Sequence, residues 1–368
     1  MHVGGTAVHM KIYFAPLEGV TTYIFRNAFA EIYGHVDKYF APFISPAENC
    51  PLTPRERKDI APENNTGINL VPQILTCRSE HFIDAAKALA GFGYREINLN
   101  LGCSSGTVCA KGKGAGFLQD KDSLLRFLSD IYSYAEKDGM KISVKTRLGY
   151  REPEEFYGLM EVFNLFPISE LIVHPRIRTD FYKGDVRKEY FAYALEHSKC
   201  PLVYNGNIFS VKDYADLTGV FAHGGDPVKM DCKGDPAVLG ARLDPAVSVK
   251  EHQHALQREL DPIMLGRGLV SDPELAGRLK SAGAGRHDDA EETDYAKFRR
   301  FHDTLYHEYR KVLSPDINVL HKMRELWTYW QVLFDGKERE IKRLMKAKKY
   351  EDYEAIVYPL LQSEERST

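Results

Sequence analysis

Cys103 closes the run Asn98-Leu99-Asn100-Leu101-Gly102-Cys103, and a glycine-rich stretch, Gly112-Lys113-Gly114-Ala115-Gly116, follows shortly after it. A thiol with a pKa near ~8.5 is mostly protonated at neutral pH and can serve as a general acid. The glycines would let the loop move and close over a bound molecule. A Walker-type phosphate loop is excluded, because no G-x-x-x-x-G-K-[ST] occurs. Taken locally, Cys103 reads equally well as a small buried residue, and Cys109 reads as loop packing.

Other chemistry-bearing residues stand at the ends of short apolar runs. Pro16-Leu17-Glu18-Gly19 follows the first run, Gln73 ends the third, and Asn100 the fourth. Lys145-Thr146-Arg147 ends the fifth, His174-Pro175-Arg176 the sixth, Asn205-Gly206-Asn207 the seventh and Gly266-Arg267-Gly268 the eighth. Singly they mean little, since Asn-Gly is an ordinary turn. Gathered at one place they make a site. Gly206 and Gly268 would let backbone N–H groups approach an anion, and Arg267 would fork onto phosphate oxygens. Lys145 would stabilise an anionic reduced flavin, and the amides of Gln73 and Asn100 would pair with a ring's donors and acceptors. This combination points to a phosphorylated planar cofactor, FMN rather than a dinucleotide.

Strands must carry these residues. The runs Lys11–Ala15, Lys38–Phe43, Asn69–Ile74, Glu96–Leu101, Lys141–Lys145, Glu170–His174, Leu202–Asn205 and Pro262–Leu265 are rich in β-formers. Amphipathic segments such as Thr21–Tyr33, Glu80–Gly91 and Ser123–Lys137 separate them. Eight β-then-α units over residues 10–280 predict an α/β fold, a (β/α)₈ TIM barrel whose functional residues gather at the C-terminal ends of the strands. A doubly wound sheet is the alternative, and the lack of G-x-G-x-x-G after the first strand speaks against it. The long connection 208–261 has no assigned structure, and 221–246 within it reads as an irregular insertion. After a polar linker at 281–294, residues 295–368 predict a small all-α domain with helices over Arg299–Val312, His321–Leu333, Lys337–Lys348 and Tyr350–Leu361.

The 368 residues carry a formal charge of −3, so bulk electrostatics announce no nucleic-acid partner. Locally the tail differs. Lys337, Arg339, Lys342, Arg343, Lys346, Lys348 and Lys349 cluster there. They read either as a solvated helix face or as a phosphate-binding one. The six cysteines form no C-x-x-C pair and no zinc spacing, so no metal site is expected and the thiols read as reduced. With no membrane span or secretory signal, the expected location is the cytoplasm.

Together these segments resemble the tRNA-dihydrouridine synthases, which are FMN-dependent. Ala15-Pro16-Leu17-Glu18-Gly19-Val20 resembles their A-P-M-E-G-V, and Asn98 to Cys103 their D-x-N-x-G-C-P, with Asn98 and Ser104 as departures. Val144-Lys145-Thr146-Arg147-Leu148-Gly149 resembles V-K-x-R-x-G, and His174, Arg176, Tyr182 and Gly184 fall at H-x-R-x(5)-Y-x-G. Asn205-Gly206-Asn207-Ile208 and Met264-Leu265-Gly266-Arg267-Gly268 resemble N-G-[DE]-I and M-I-G-R-G, with Asn207 in place of an acid. A weaker likeness extends to Val319-Leu320-His321-Lys322-Met323.

The resemblance implies that Pro16, Leu17, Glu18, Gln73, Lys145, His174, Asn205, Gly206, Asn207, Gly266 and Arg267 hold FMN. It implies Cys103 as proton donor, Asn100, Arg147 and Arg176 facing uracil or tRNA, and NADPH or NADH as reductant. Lys342, Arg343 and Lys346 would meet tRNA phosphates, with no obligate protein partner. Two other readings stand beside this one: a flavin barrel reducing a free small molecule, and a flavin-free tRNA chaperone.

Overall fold

The computed structural model describes residues 10–222, 260–284 and 293–365. Its strands are β1 (Ile12–Phe14), β2 (Lys38–Phe40), β3 (Leu70–Val71), β4 (Gln73–Ile74), β5 (Glu96–Leu101), β6 (Lys141–Gly149), β7 (Leu171–Ile177), β8 (Leu202–Tyr204) and β9 (Ile263–Leu265). They pair in parallel, in the order β3-β2-β1-β9-β8-β7-β6-β5-β4.

The two ends of that order are one strand of the sequence reading. Only Pro72 separates β3 from β4, and proline has no N–H to give a ladder. Its carbonyl still accepts Asn98 N at 2.9 Å on one side, while Ile44 N donates to the Gln73 carbonyl at 2.7 Å on the other. The third strand therefore holds both neighbours, and the sheet closes as the expected eight-unit barrel. Two strands overrun their expected ends: β6 passes Lys145 to reach Gly149, and β7 passes His174 to reach Ile177.

Alternation along the strands sorts the barrel into layers. Tyr13, Phe40, Val71, Ile172, Val203 and Met264 point inward and form an apolar plug. Ile12, Phe14, Ile97, Leu99, Leu171 and Val173 point outward into the core shared with the helices. Below the plug, at the strand starts, Lys38 pairs with Glu96 at 3.0 Å and Glu170 at 2.9 Å, and Tyr13 donates to Glu170 at 2.6 Å. Above it lie the polar strand ends.

Local signals set the helices that hold the strands in place. The helix Lys121–Asp138 starts where Asp120 accepts Ser123 N at 3.0 Å, and it stops at Gly139 with φ of 68°. The helix Pro54–Ile60 carries a reciprocal capping box between Thr53 and Glu56. In the long β8–β9 connection, helix Val211–Ala222 comes first. It takes in the first two residues of the expected 221–246 insertion, whose remainder lies outside the described residues.

Four helices close the chain: Tyr295–Val312, Asp316–Trp330, Glu338–Leu344 and Tyr350–Glu365. Helix Leu275–Gly283 runs into the expected linker at 281–294, and Asp294 caps the next helix by accepting Lys297 N at 2.9 Å. Phe301 meets Phe25 at 5.4 Å and Tyr33 at 5.2 Å, edge to face, so these helices pack on the first barrel helix, Tyr23–Ile32. Among themselves they close over Tyr353, whose hydroxyl lies 2.7 Å from His302 Nε2 and accepts Trp327 Nε1–H at 2.8 Å. No helix among the described residues is long and apolar enough to cross a membrane.

Candidate active site at the barrel mouth

A chain of amides crosses the top of the barrel. Asn100 Nδ2 donates to Gln73 Oε1 at 2.7 Å, Gln73 Nε2 donates to Asn98 Oδ1 at 2.7 Å, and Asn98 Nδ2 donates to Ser143 Oγ at 2.9 Å. At its near end Asn100 Oδ1 accepts the backbone N–H of Gly102 at 3.0 Å and of Cys103 at 2.9 Å. The turn that carries the thiol hangs from this amide. A Cβ on Gly114 would come within 2.8 Å of the Cys103 carbonyl, and Gly114 has φ of 57°. Only glycine lets the loop close this tightly. Burial pushes the half-buried Cys103 thiol above its usual pKa, which keeps the proton on sulfur. Cys109 is buried and donates to the Cys103 carbonyl at 3.3 Å.

Cations surround this acid. Lys145 stands opposite Asn100 in the β5–β6 register. Its ammonium has no hydrogen bond or ion pair among the described residues, and burial brings its pKa down to about 7. Burial, with Arg147, Lys145, Arg176 and Arg267 nearby, pushes His174 well below the usual imidazole value, so it is neutral. Its Nε2 sits 3.1 Å from Arg176 Nη1, which only donates, so Nε2 accepts and Nδ1 carries the hydrogen. Asn207 Oδ1 accepts from Arg176 at 3.1 Å and from Arg267 at 3.5 Å, which keeps this amide in the acid's expected place. Asn205 Nδ2 donates to the Met264 carbonyl at 2.8 Å and ties β8 to β9. Pro16 and Leu17 are half-buried and Glu18 is exposed at the rim. A Cβ on Gly266 would touch Ala15 and Leu17, at 3.4 and 3.6 Å.

Several side chains do different work from the expectation. Gln73 is fully buried and both ends of its amide are taken by Asn98 and Asn100, so it supports the site from beneath. Asn100 gives one Nδ2 hydrogen to Gln73 and both Oδ1 lone pairs to the Cys103 turn. Arg147 does not face outward. It is 2% exposed, and it donates to the carbonyls of Gly102 at 2.9 Å, Ile177 at 2.9 Å and Phe181 at 2.8 Å. It clamps the β5 and β7 loops together, because a buried guanidinium must spend its donors on carbonyls. Arg176 is also fully buried, between His174, Asn207 and the Gly184 carbonyl. Gly268 is glycine because the Ile208 carbonyl lies against it, so the short helix Arg267–Ser271 packs on the loop after β8.

The basic residues of the tail lie elsewhere. Lys342, Arg343 and Lys346 are exposed on helix Glu338–Leu344 and the turn after it. Lys337 leaves the expected cluster, since it pairs with Glu364 at 2.9 Å.

The sequence motif includes Tyr182 but gave it no role, and the helical part of the rim was missed. The Arg267 guanidinium lies 4.6 Å from the Tyr182 ring and 5.5 Å from that of Phe209. Tyr182 also sits 6.2 Å from the His174 ring and 5.5 Å from the Arg147 guanidinium. From the tail, Lys322 donates to the Gly19 carbonyl and pairs with Glu325 at 2.8 Å. The weak likeness at residues 319–323 was the one sequence signal for that contact.

The fold and mouth thus define a barrel protein with a protonated thiol near a lysine and an arginine, neither of which has an acidic partner among the described residues. A phosphorylated planar cofactor fits these residues, since Lys145 and Arg267 both lack an acidic partner among the described residues. The family described as dihydrouridine synthase (Dus) matches residues 13–241. The chain belongs to that family, and so to flavin-dependent oxidoreductases that act on tRNA uridine. It is 26% identical to the tRNA-dihydrouridine(16) synthase of Pseudomonas syringae pv. tomato, over 75% of this chain and 76% of that one. It is 25% identical to the tRNA-dihydrouridine(16) synthase of Ralstonia nicotianae, over 82% and 84%. A probable tRNA-dihydrouridine synthase of Staphylococcus aureus is 30% identical over 48% of this chain and 52% of its own.

Proposed function

We propose that this protein reduces the 5,6 double bond of one uridine in tRNA, with FMN as cofactor, NAD(P)H as reductant and Cys103 as the acid. The observation that carries the reading is the Asn100-hung, protonated Cys103 thiol near Lys145, which has no partner among the described residues. FMN, when bound and reduced by NAD(P)H, supplies the hydride that adds to C6 of the uracil.

The remaining chemistry belongs to the chain. Cys103 Sγ–H gives its proton to C5, so hydride and proton together saturate the double bond, and the thiolate left behind regains a proton from water. Lys145 and Arg147 lower the cost of that thiolate for as long as it lasts. Arg267, Asn207, Asn205, Gly206 and Gly266 would hold the cofactor's phosphate end, and Pro16, Leu17 and Glu18 would border its ring. Lys145 and the Nδ1–H of neutral His174 would be the donors available to the ring's acceptors, and Gln73 would act through Asn100. The uridine must leave its stack to reach the mouth, which is cheapest in a loop. Lys342, Arg343 and Lys346 hold the tRNA body through its phosphates, in the cytoplasm and without a protein partner.

Position 16 is the uridine to examine first, because the relatives that align over most of both chains carry that number in their names. The test is to incubate purified protein with NADPH or NADH and an unmodified tRNA transcript, then to map dihydrouridine by mass spectrometry. The expected result is one converted uridine, at position 16. A flavin-loaded protein that converts none, but reduces a free enone or pyrimidine, would replace this reading with the small-molecule one.

A further inference from the structure

The β7 loop holds a feature that the reaction above does not use. Phe181 is a large apolar side chain, 43% exposed, and its backbone has φ of 51°, a region that non-glycine residues rarely adopt. The loop around it is nonetheless tied down. Arg147 holds the Phe181 carbonyl at 2.8 Å, Asp180 Oδ2 accepts Ile177 N at 3.0 Å and pairs with Arg187, and Arg176 holds the Gly184 carbonyl. A strained position fixed this firmly keeps one ring facing solvent.

Behind the ring stands a cation with no hydrogen-bonded or ionic partner among the described residues. The Arg178 guanidinium lies 5.1 Å from the Phe181 ring and 5.3 Å from that of Tyr150. No hydrogen bond or ion pair of its side chain is found among the described residues, and its Nε is buried with no acceptor. Its Nη2 lies 3.7 Å from where a Cβ on Gly106 would stand, so it borders the loop that carries Cys103. An exposed ring backed by a sandwiched, unpaired guanidinium is the chemistry that takes an unstacked nucleobase and its phosphate. An apolar protein partner would leave that cation facing nothing.

We propose that Phe181 and Arg178 form a stacking subsite for an unpaired nucleobase of the RNA loop that contains the target uridine. The base lies on the Phe181 face and its phosphate takes the free Arg178 donors. This rests on the tRNA reading above and adds a second nucleotide to it.

The test measures binding, so it does not depend on turnover. Dissociation constants for a tRNA transcript are compared among wild type, Phe181→Leu and Phe181→Trp, with flavin content and melting temperature as controls. Phe181→Leu should weaken binding about tenfold, within the range of one lost base stack, and Phe181→Trp should restore it. Transcripts with single abasic sites, stepped through the loop containing uridine 16, then locate the base. At one position the abasic transcript should bind wild type as weakly as the intact one binds Phe181→Leu, with no further loss for the variant.

Equal affinity of wild type and Phe181→Leu, or a loss in Phe181→Leu that no abasic site reproduces, would overturn the subsite. Absence of dihydrouridine with this binding pattern intact would instead overturn the catalytic reading.

Discussion

Asn100 Oδ1 accepts the backbone N–H of Cys103 at 2.9 Å, and the same side chain donates to Gln73 Oε1 at 2.7 Å. The turn that carries the proton donor, just after β5, is therefore tied to the neighbouring third strand through a buried amide relay. This explains why amides, and not apolar residues, occupy the inward positions at the top of β4 and β5.

Removing that relay should loosen the acid. Asn100→Ala leaves two backbone N–H groups and the Gln73 carbonyl oxygen without this partner, at about 1–3 kcal/mol for each buried group left unpaired. The melting temperature should fall, and dihydrouridine formation should fall more than flavin content does. Thermal denaturation with a single-turnover assay checks both. Normal turnover in a stable variant would mean the Cys103 turn holds itself.

Lys145 gives a pH signature. Its folded pKa of about 7 lies below the ordinary 10.5, so between those values the unfolded chain binds more protons than the folded one. In flavin-free protein the lysine costs stability in full below about pH 7, and the cost fades as pH rises toward 10.5. Lys145→Met should therefore melt above wild type at pH 6, with a gap that narrows steadily to pH 10. A gap independent of pH would show that the ammonium is not desolvated.

The exposed basic helix should report on RNA charge. Charge reversal at Lys342, Arg343 and Lys346 should weaken tRNA binding and flatten its salt dependence by roughly one unit of slope per lost phosphate contact. Flavin content should stay normal, since all three are exposed on the tail and have no contact with a mouth residue among the described residues. Binding titrations across salt concentrations measure the slope, and an unchanged slope would make this face merely solvated.

Much of this was legible in the sequence because buried parallel strands write themselves as apolar runs and end in polar residues. The eight runs and the four closing helices read correctly in kind. The directions of long side chains did not. Arg147 and Arg176 stand next to the expected chemistry in sequence, yet both turn inward to carbonyls that exist only once the β7 loop is folded. Gln73 was placed on the right strand, but its partners Asn98 and Asn100 lie on another, so its engagement is a tertiary fact. Pro72 split the third strand in a way its lack of an N–H announces. Phe181 gave no signal, because an exposed aromatic and a buried one look alike in a single sequence.

The role of Cys103 is tested most directly by separating the two half-reactions in Cys103→Ala. Stopped-flow absorbance follows flavin reduction by NADPH, and mass spectrometry of digested tRNA follows the uridine. Flavin reduction needs no acid and should run at close to the wild-type rate. Dihydrouridine formation should drop about 10²- to 10⁴-fold, the usual loss for a positioned general acid, and Cys103→Ser should recover little of it, since a hydroxyl is a far weaker acid. Cys109→Ala should be nearly silent in both measurements. Dihydrouridine formed by Cys103→Ala at the wild-type rate would contradict the assignment of the acid and turn attention to Cys109.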